Sequence, residues 1–96
     1  MNAQLIIQKI QDNKDKIEEY GIKNIGLFGS YTTNKQSEDS DVDILVEFAK
    51  GEKTFDNYMD LKFYLEELFG CKVDLVIIEA IKPALKKQIL ESVKYA

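Results

Sequence analysis

Histidine and tryptophan are absent from this sequence, and cysteine and proline occur once each. Without histidine there is no His-based catalytic triad, no imidazole general base and no His metal ligand, so any chemistry must run on carboxylates, hydroxyls, lysines or the backbone. The lone Cys71 cannot close an internal disulfide. Pro83 is the sole proline, and there is no low-complexity stretch or internal repeat, so nothing divides the chain and residues 1–96 read as a single domain. No apolar run approaches the roughly 18 residues of a membrane span. The start, Met1-Asn2-Ala3-Gln4-Leu5-Ile6-Ile7, lacks the basic lead and long apolar core of a signal peptide. A cytoplasmic protein with no membrane partner is expected.

Positive charge is also in deficit. Thirteen basic residues against 17 acidic ones give a formal charge of −4, the wrong sign for affinity won by neutralising nucleic-acid phosphates. Direct nucleic-acid binding is not expected, and Lys82, Lys86 and Lys87 read as the solvated face of a helix. What the chain does contain, 45% hydrophobic and 31% charged residues, suits one small globular domain. So short a chain buries only roughly 60–65% of the surface it exposes unfolded. A homo-oligomer, or a complex with another protein, would supply further contacts.

Apolar periodicity then divides the chain into elements. Between Ala3 and Tyr20, residues Ile6, Ile10, Ile17 and Tyr20 share a helical face, and Gly21 stands where a left-handed C-cap belongs, predicting one amphipathic helix. Ile22 to Ser30 predicts a strand ending in a turn at Gly29-Ser30, followed by a polar segment from Tyr31 to Ser40. Asp41 to Phe48 predicts a second strand whose period of two sets Asp41, Asp43, Leu45 and Glu47 on one face and Val42, Ile44 and Val46 on the other. Thr54 is a suitable N-cap for a helix reaching Gly70, with Phe55, Tyr58, Leu61, Leu65 and Leu68 as its core-facing row. Lys72 to Glu79 predicts a third, largely buried strand, and Pro83 suits the first turn of a closing helix running to Tyr95. This alternation implies an α/β or α+β domain, a small mixed sheet flanked by helices.

Gly29 and Ser30 offer a place where a phosphate can approach the backbone, glycine having no side chain and serine supplying a hydroxyl donor. Asp41 and Asp43, two carboxylates at spacing two on a strand start, can converge on one hard cation, which prefers oxygen ligands. Asp74 lies between Val73 and the apolar run Leu75-Val76-Ile77-Ile78, where a buried carboxylate needs compensation. If the third strand lies beside the second, Asp74 joins Asp41 and Asp43, and cations between them would relieve their repulsion.

Gly29-Ser30, then Asp41-Val42-Asp43, then Asp74 on a later strand together resemble the DNA polymerase beta nucleotidyltransferase superfamily, and more narrowly its minimal nucleotidyltransferase (MNT) proteins. The likeness rests on Leu27-Phe28-Gly29-Ser30, Ser40-Asp41-Val42-Asp43-Ile44-Leu45-Val46 and Val73-Asp74-Leu75-Val76, and covers nearly the whole chain. One departure is that the arginine common after the Gly-Ser motif is replaced within Thr32-Thr33-Asn34, leaving only Lys35 nearby as a point charge. The resemblance implies a polymerase beta palm-like fold and transfer of a nucleoside monophosphate from a triphosphate to a hydroxyl. It implies Gly29 and Ser30 on the phosphates, and Asp41, Asp43 and Asp74 as catalytic residues holding two Mg²⁺ ions. Many MNT proteins are antitoxins paired with a HEPN-type toxin, and some transfer AMP from ATP to a toxin tyrosine. The expectation is therefore a protein adenylyltransferase antitoxin. The alternatives are an antitoxin acting by binding alone and the catalytic subunit of a small-molecule nucleotidyltransferase.

Overall fold

A computed structural model describes residues 2–32 and 41–96. The helical start predicted as one element is two, α1 over Ala3–Asp12 and α2 over Lys14–Glu18. Asn13 causes the break: its amide donates to the Lys9 carbonyl at 2.8 Å and its backbone leaves helical geometry at φ −115°, ψ 22°. Side-chain bonding of this kind is how asparagine competes with a helix interior. The row of isoleucines is nonetheless core, Ile6, Ile10 and Ile17 all being fully buried. Tyr20 lies in the turn beyond α2, followed by Gly21 with the expected positive φ of 80°.

Strand β1 spans Ile22–Phe28 and passes into a single 3-10 turn over Gly29–Tyr31. Strand β2 covers Val42–Phe48, one residue shorter than predicted. Helix α3, Phe55–Phe69, has the predicted caps: the Thr54 hydroxyl accepts from the Asn57 N–H at 3.1 Å, and Gly70 sits left-handed at φ 70°. Its buried row is Leu61, Leu65 and Phe69. Phe55, expected in the core, is 77% exposed, and lines an open cleft with Tyr58 and with Leu75, Val76 and Ile77 of the third strand instead of packing under the sheet. Strand β3 is Val73–Ile77, shorter than predicted, with a 3-10 turn over Ile78–Ala80 taking up its end. Helix α4, Pro83–Ser92, begins with Pro83 as expected but stops short of Tyr95. Lys94–Tyr95 instead forms a short strand, β4, which the sequence reading missed.

The sheet has four strands in the order β3-β2-β1-β4, with β1 antiparallel to β2 and β4, and β2 parallel to β3. That mixed sheet bears out the predicted fold class. One face carries Ile25, Leu27, Ile44, Val46 and Leu75, and packs with Ile6, Ile10 and Ile17 of the first helices and Leu61 and Leu65 of α3 in the principal core. Each such side chain contributes about 1.5–3 kcal/mol on burial. The opposite face has lighter cover, since α4 buries none of its residues. The outer edge of β3 is closed by α3: the Glu66 carboxylate accepts from the Val73 N–H at 3.1 Å, and the Tyr58 hydroxyl donates to the Leu75 carbonyl at 2.7 Å.

Candidate active site

Strand register builds the site. Phe28 of β1 pairs with Asp43 of β2, and Asp43 pairs with Asp74 of β3. Directly paired residues point to the same side of a sheet, so Phe28, Asp43 and Asp74 form one row on the face away from the principal core. Adjacent strands lie about 4.8 Å apart, which sets the two carboxylates side by side. The parallel pairing needs the α3 crossover, so the same helix that fills the core also delivers Asp74 to Asp43.

Asp74 is exposed, which corrects the expectation of a largely buried strand. Only one face of β3 lies under the helices: Val73 and Leu75 are buried while Asp74 points the other way. The electrostatic cost falls on Asp43 instead. Its carboxyl is raised above the usual range, first by burial, then by the charge of Asp74 and to a lesser degree by that of Asp41. A hydrogen bond from the Ser30 backbone N–H offsets part of this. Asp41, just before β2, is exposed and close enough to act on Asp43 and also on Cys71, whose thiol is raised first by burial and then by Asp41 and Glu66.

Gly29 is set against Asp43. It has φ +78°, and a Cβ there would run into the Asp43 carboxylate. Glycine is therefore required twice over, for the left-handed backbone and for the space. Tyr31, 6% exposed, anchors the end of the turn in the core, and the Thr32 hydroxyl donates to the Gly29 carbonyl at 2.8 Å. The Gly-Ser turn and Asp43 thus form one unit, joined by the Ser30 N–H that is donated to Asp43, while the Ser30 hydroxyl is the group expected to meet a phosphate. Of the predicted site residues, Gly29, Ser30, Asp43 and Asp74 are brought together, with Asp41 at the margin. Among the described residues no three acidic or cysteine side chains are already close enough to cage an ion. The carboxylate oxygens are nevertheless the donor type that Mg²⁺ or Mn²⁺ takes, and the raised Asp43 carboxyl is what a neighbouring cation would relieve. Thr33, Asn34, Lys35 and Ser40, which bear on the missing arginine and the second motif, lie outside the described residues.

The family model for the nucleotidyltransferase domain matches residues 6–96. The chain belongs to that family. This nucleotidyltransferase domain is 38% identical to the protein adenylyltransferase MntA of Thermococcus cleftensis over 98 residues, which is 97% of this chain and 98% of the relative. Its fold matches a solved candidate minimal nucleotidyltransferase with a TM-score of 0.84 and 30% identity, covering 98% of this chain and 95% of the other. It also matches a chain from the complex of tri-AMPylated Shewanella oneidensis HEPN toxin with MNT antitoxin, with a TM-score of 0.59 and 26% identity, covering 88% of this chain and 69% of that one.

A further lining escaped the sequence reading. An open cleft of about 580 Å³ runs from Phe28 and Gly29 to the face of α4 that carries Leu85, Gln88 and Ile89. The available signal is the spacing of Leu85 and Ile89, one helical turn apart on α4. Among the described residues no helix is long and apolar enough to cross a membrane.

Proposed function

We propose that this nucleotidyltransferase domain is the antitoxin of a toxin–antitoxin pair, transferring AMP from ATP to a tyrosine hydroxyl of a HEPN-type toxin. The observation that carries the reading is the row that sets Asp43 beside Asp74 at the foot of the Gly29-Ser30 turn. The relatives named above, a protein adenylyltransferase and an AMPylated toxin bound to its MNT antitoxin, support it.

Asp41, Asp43 and Asp74 would hold the divalent ions, which supply neutralisation of the triphosphate and activation of the attacking oxygen. Gly29, having no side chain, lets the phosphates approach the backbone, and Ser30 offers its hydroxyl to orient them for in-line attack. The tyrosine oxygen forms a bond to the α-phosphorus, the bond from that phosphorus to the leaving pyrophosphate breaks, and Asp74, exposed beside the acceptor, takes the phenolic proton. A solvent-facing Asp74 suits an acceptor delivered on another protein. The second reading, an antitoxin acting by contact alone, is favoured by one observation: all 13 basic residues are lysines, so the chain has no guanidinium to grip a triphosphate.

The test is co-expression with the neighbouring toxin gene, followed by intact-mass measurement of the toxin. The transferase reading expects AMP additions with the unaltered chain and none with the Asp41→Asn, Asp43→Asn variant. A silenced toxin of unchanged mass would establish the contact reading instead.

A further inference from the structure

We propose that the flank of α3 beside β3 is the docking surface for the acceptor protein, and that its occupant is an amphipathic helix of that protein with carboxylates along one side. The inference rests on the protein-acceptor reading above and adds the surface and the chemistry of the segment it takes.

The apolar part is a stripe on α3. Phe55, Met59 and Phe63 follow at intervals of four residues, so they share one side of the helix. Phe55 is 77% and Phe63 58% exposed. Phenylalanine and methionine are enriched at protein interfaces, and exposed apolar side chains gathered in one patch mark an interaction site where scattered ones do not. The stripe borders two open clefts. Phe55 lines the first, of about 490 Å³, with Tyr58, Leu75, Val76 and Ile77. Met59 and Phe63 line the second, of about 600 Å³, with Cys71 and Lys72.

The edge of β3 decides the form of the occupant. The Lys72 carbonyl accepts from the Val42 N–H, so by the alternation of a parallel pair Val73 and Leu75 turn their backbone groups outward. An added strand would need those groups, and α3 has taken two of them. The Val73 N–H donates to the Glu66 carboxylate, and the Leu75 carbonyl accepts from the Tyr58 hydroxyl. Strand addition is thereby opposed, and a partner must enter the clefts with side chains. The clefts open about six residues apart along α3, roughly 9 Å. A helix presents residues i and i+7 on one face about 10.5 Å apart, and so seats one side chain in each.

Charge orients that helix. Lys53 lines the first cleft and Lys62 and Lys72 the second, while Glu66 is engaged with Val73. Asp56, Asp60 and Glu67 are exposed and, by helical spacing, follow the other side of the stripe. A helix with carboxylates on its β3 side meets lysines there, and one with the reverse order of charge is repelled. Position then ties the surface to the chemistry. Lys72 leads into Val73 and Asp74 of the outermost strand, and Cys71 is close enough to Asp41 for that charge to act on its thiol. A protein seated here lies alongside the carboxylates that receive its hydroxyl.

The experiment measures, by calorimetry, binding of the unaltered chain and its variants to the product of the neighbouring toxin gene, and to ATP with Mg²⁺. Phe55→Glu and Phe63→Glu, neither of which removes a buried side chain, are each expected to weaken the toxin about tenfold or more and to leave ATP within about twofold. Leu90→Glu makes the same charge change on α4, where Leu90 is 37% exposed, and is expected to leave both within that range. Lys62→Glu should weaken the toxin and flatten the salt dependence of its binding. Cys71, the sole thiol, lines the second cleft and accepts a photo-cross-linking maleimide; the toxin segment it captures is expected to be a helix with Asp or Glu beside an apolar face. The proposal is overturned if the two phenylalanine variants bind the toxin as well as Leu90→Glu does, if they weaken ATP as much as the toxin, if Lys62→Glu strengthens the complex, or if the captured segment is a strand, a loop or a basic helix. It is overturned too if those variants break a dimer of this chain, seen by light scattering, while the toxin binds normally, which would give the surface to a second copy. If the unaltered chain does not bind the toxin at all, the toxin-partner reading itself falls, a result distinct from each of these.

Discussion

Asp43 bears the electrostatic cost of the site. Its carboxyl is raised by burial and by Asp74, so in metal-free protein the native state holds that proton to higher pH than the unfolded chain does. Stability therefore declines as pH rises from the ordinary carboxylate value through the raised one, and lies highest below that window. Asp43→Asn removes the charge and keeps the shape. In chelator at neutral pH its melting temperature is expected to exceed that of the unaltered protein, while AMP transfer falls by more than the roughly 10–100-fold typical of losing a residue that only supports a metal ligand. A lower melting temperature would show that the carboxylate stabilises the fold. Gly29→Ala is expected to cost about 1–2 kcal/mol from its left-handed backbone alone, read as a shift in denaturant midpoint, with transfer lost as Asp43 is displaced. The spacing of Asp41 and Asp43 was legible because strand periodicity dictates it. Which carboxylate is desolvated was not, because that depends on which sheet face the helices cover.

Among the elements, α3 was the most legible: Thr54 and Gly70 are chemical signals that act locally, and both caps form where they stand. The start of the chain was less so. Its isoleucines keep helical spacing across Asn13, yet the Asn13 side chain takes the Lys9 carbonyl and divides the helix. Strand β4 had no local signal, since two residues are strand only through their pairing with Gly26 and Leu27. Phe55 misled because helical spacing does not say whether a neighbour covers the row at its first turn, and there an open cleft lies instead. The β3 edge offers a test at this scale. Tyr58→Phe removes the hydroxyl that meets the Leu75 carbonyl and is expected to cost about 0.5–1.5 kcal/mol. The same variant should show faster amide exchange along β3 by mass spectrometry, and unchanged exchange there would show that the edge is held without the Tyr58 hydroxyl, by packing and the Glu66 carboxylate.

Taken as a whole molecule, the chain sets an all-lysine complement of positive charge against an acidic balance. The site draws on three strands of the four, and this has a consequence in time and temperature. Asp43 and Asp74 belong to strands that meet only once the α3 crossover has closed, so a growing chain has no paired carboxylates until its last third is made. In the finished protein β3 is an outer strand, a position from which strands open below the global transition. Catalysis should accordingly fail on heating before the sheet does: transfer activity is expected to fall several degrees below the midpoint seen by circular dichroism, and coincident curves would mean that β3 melts only with the rest.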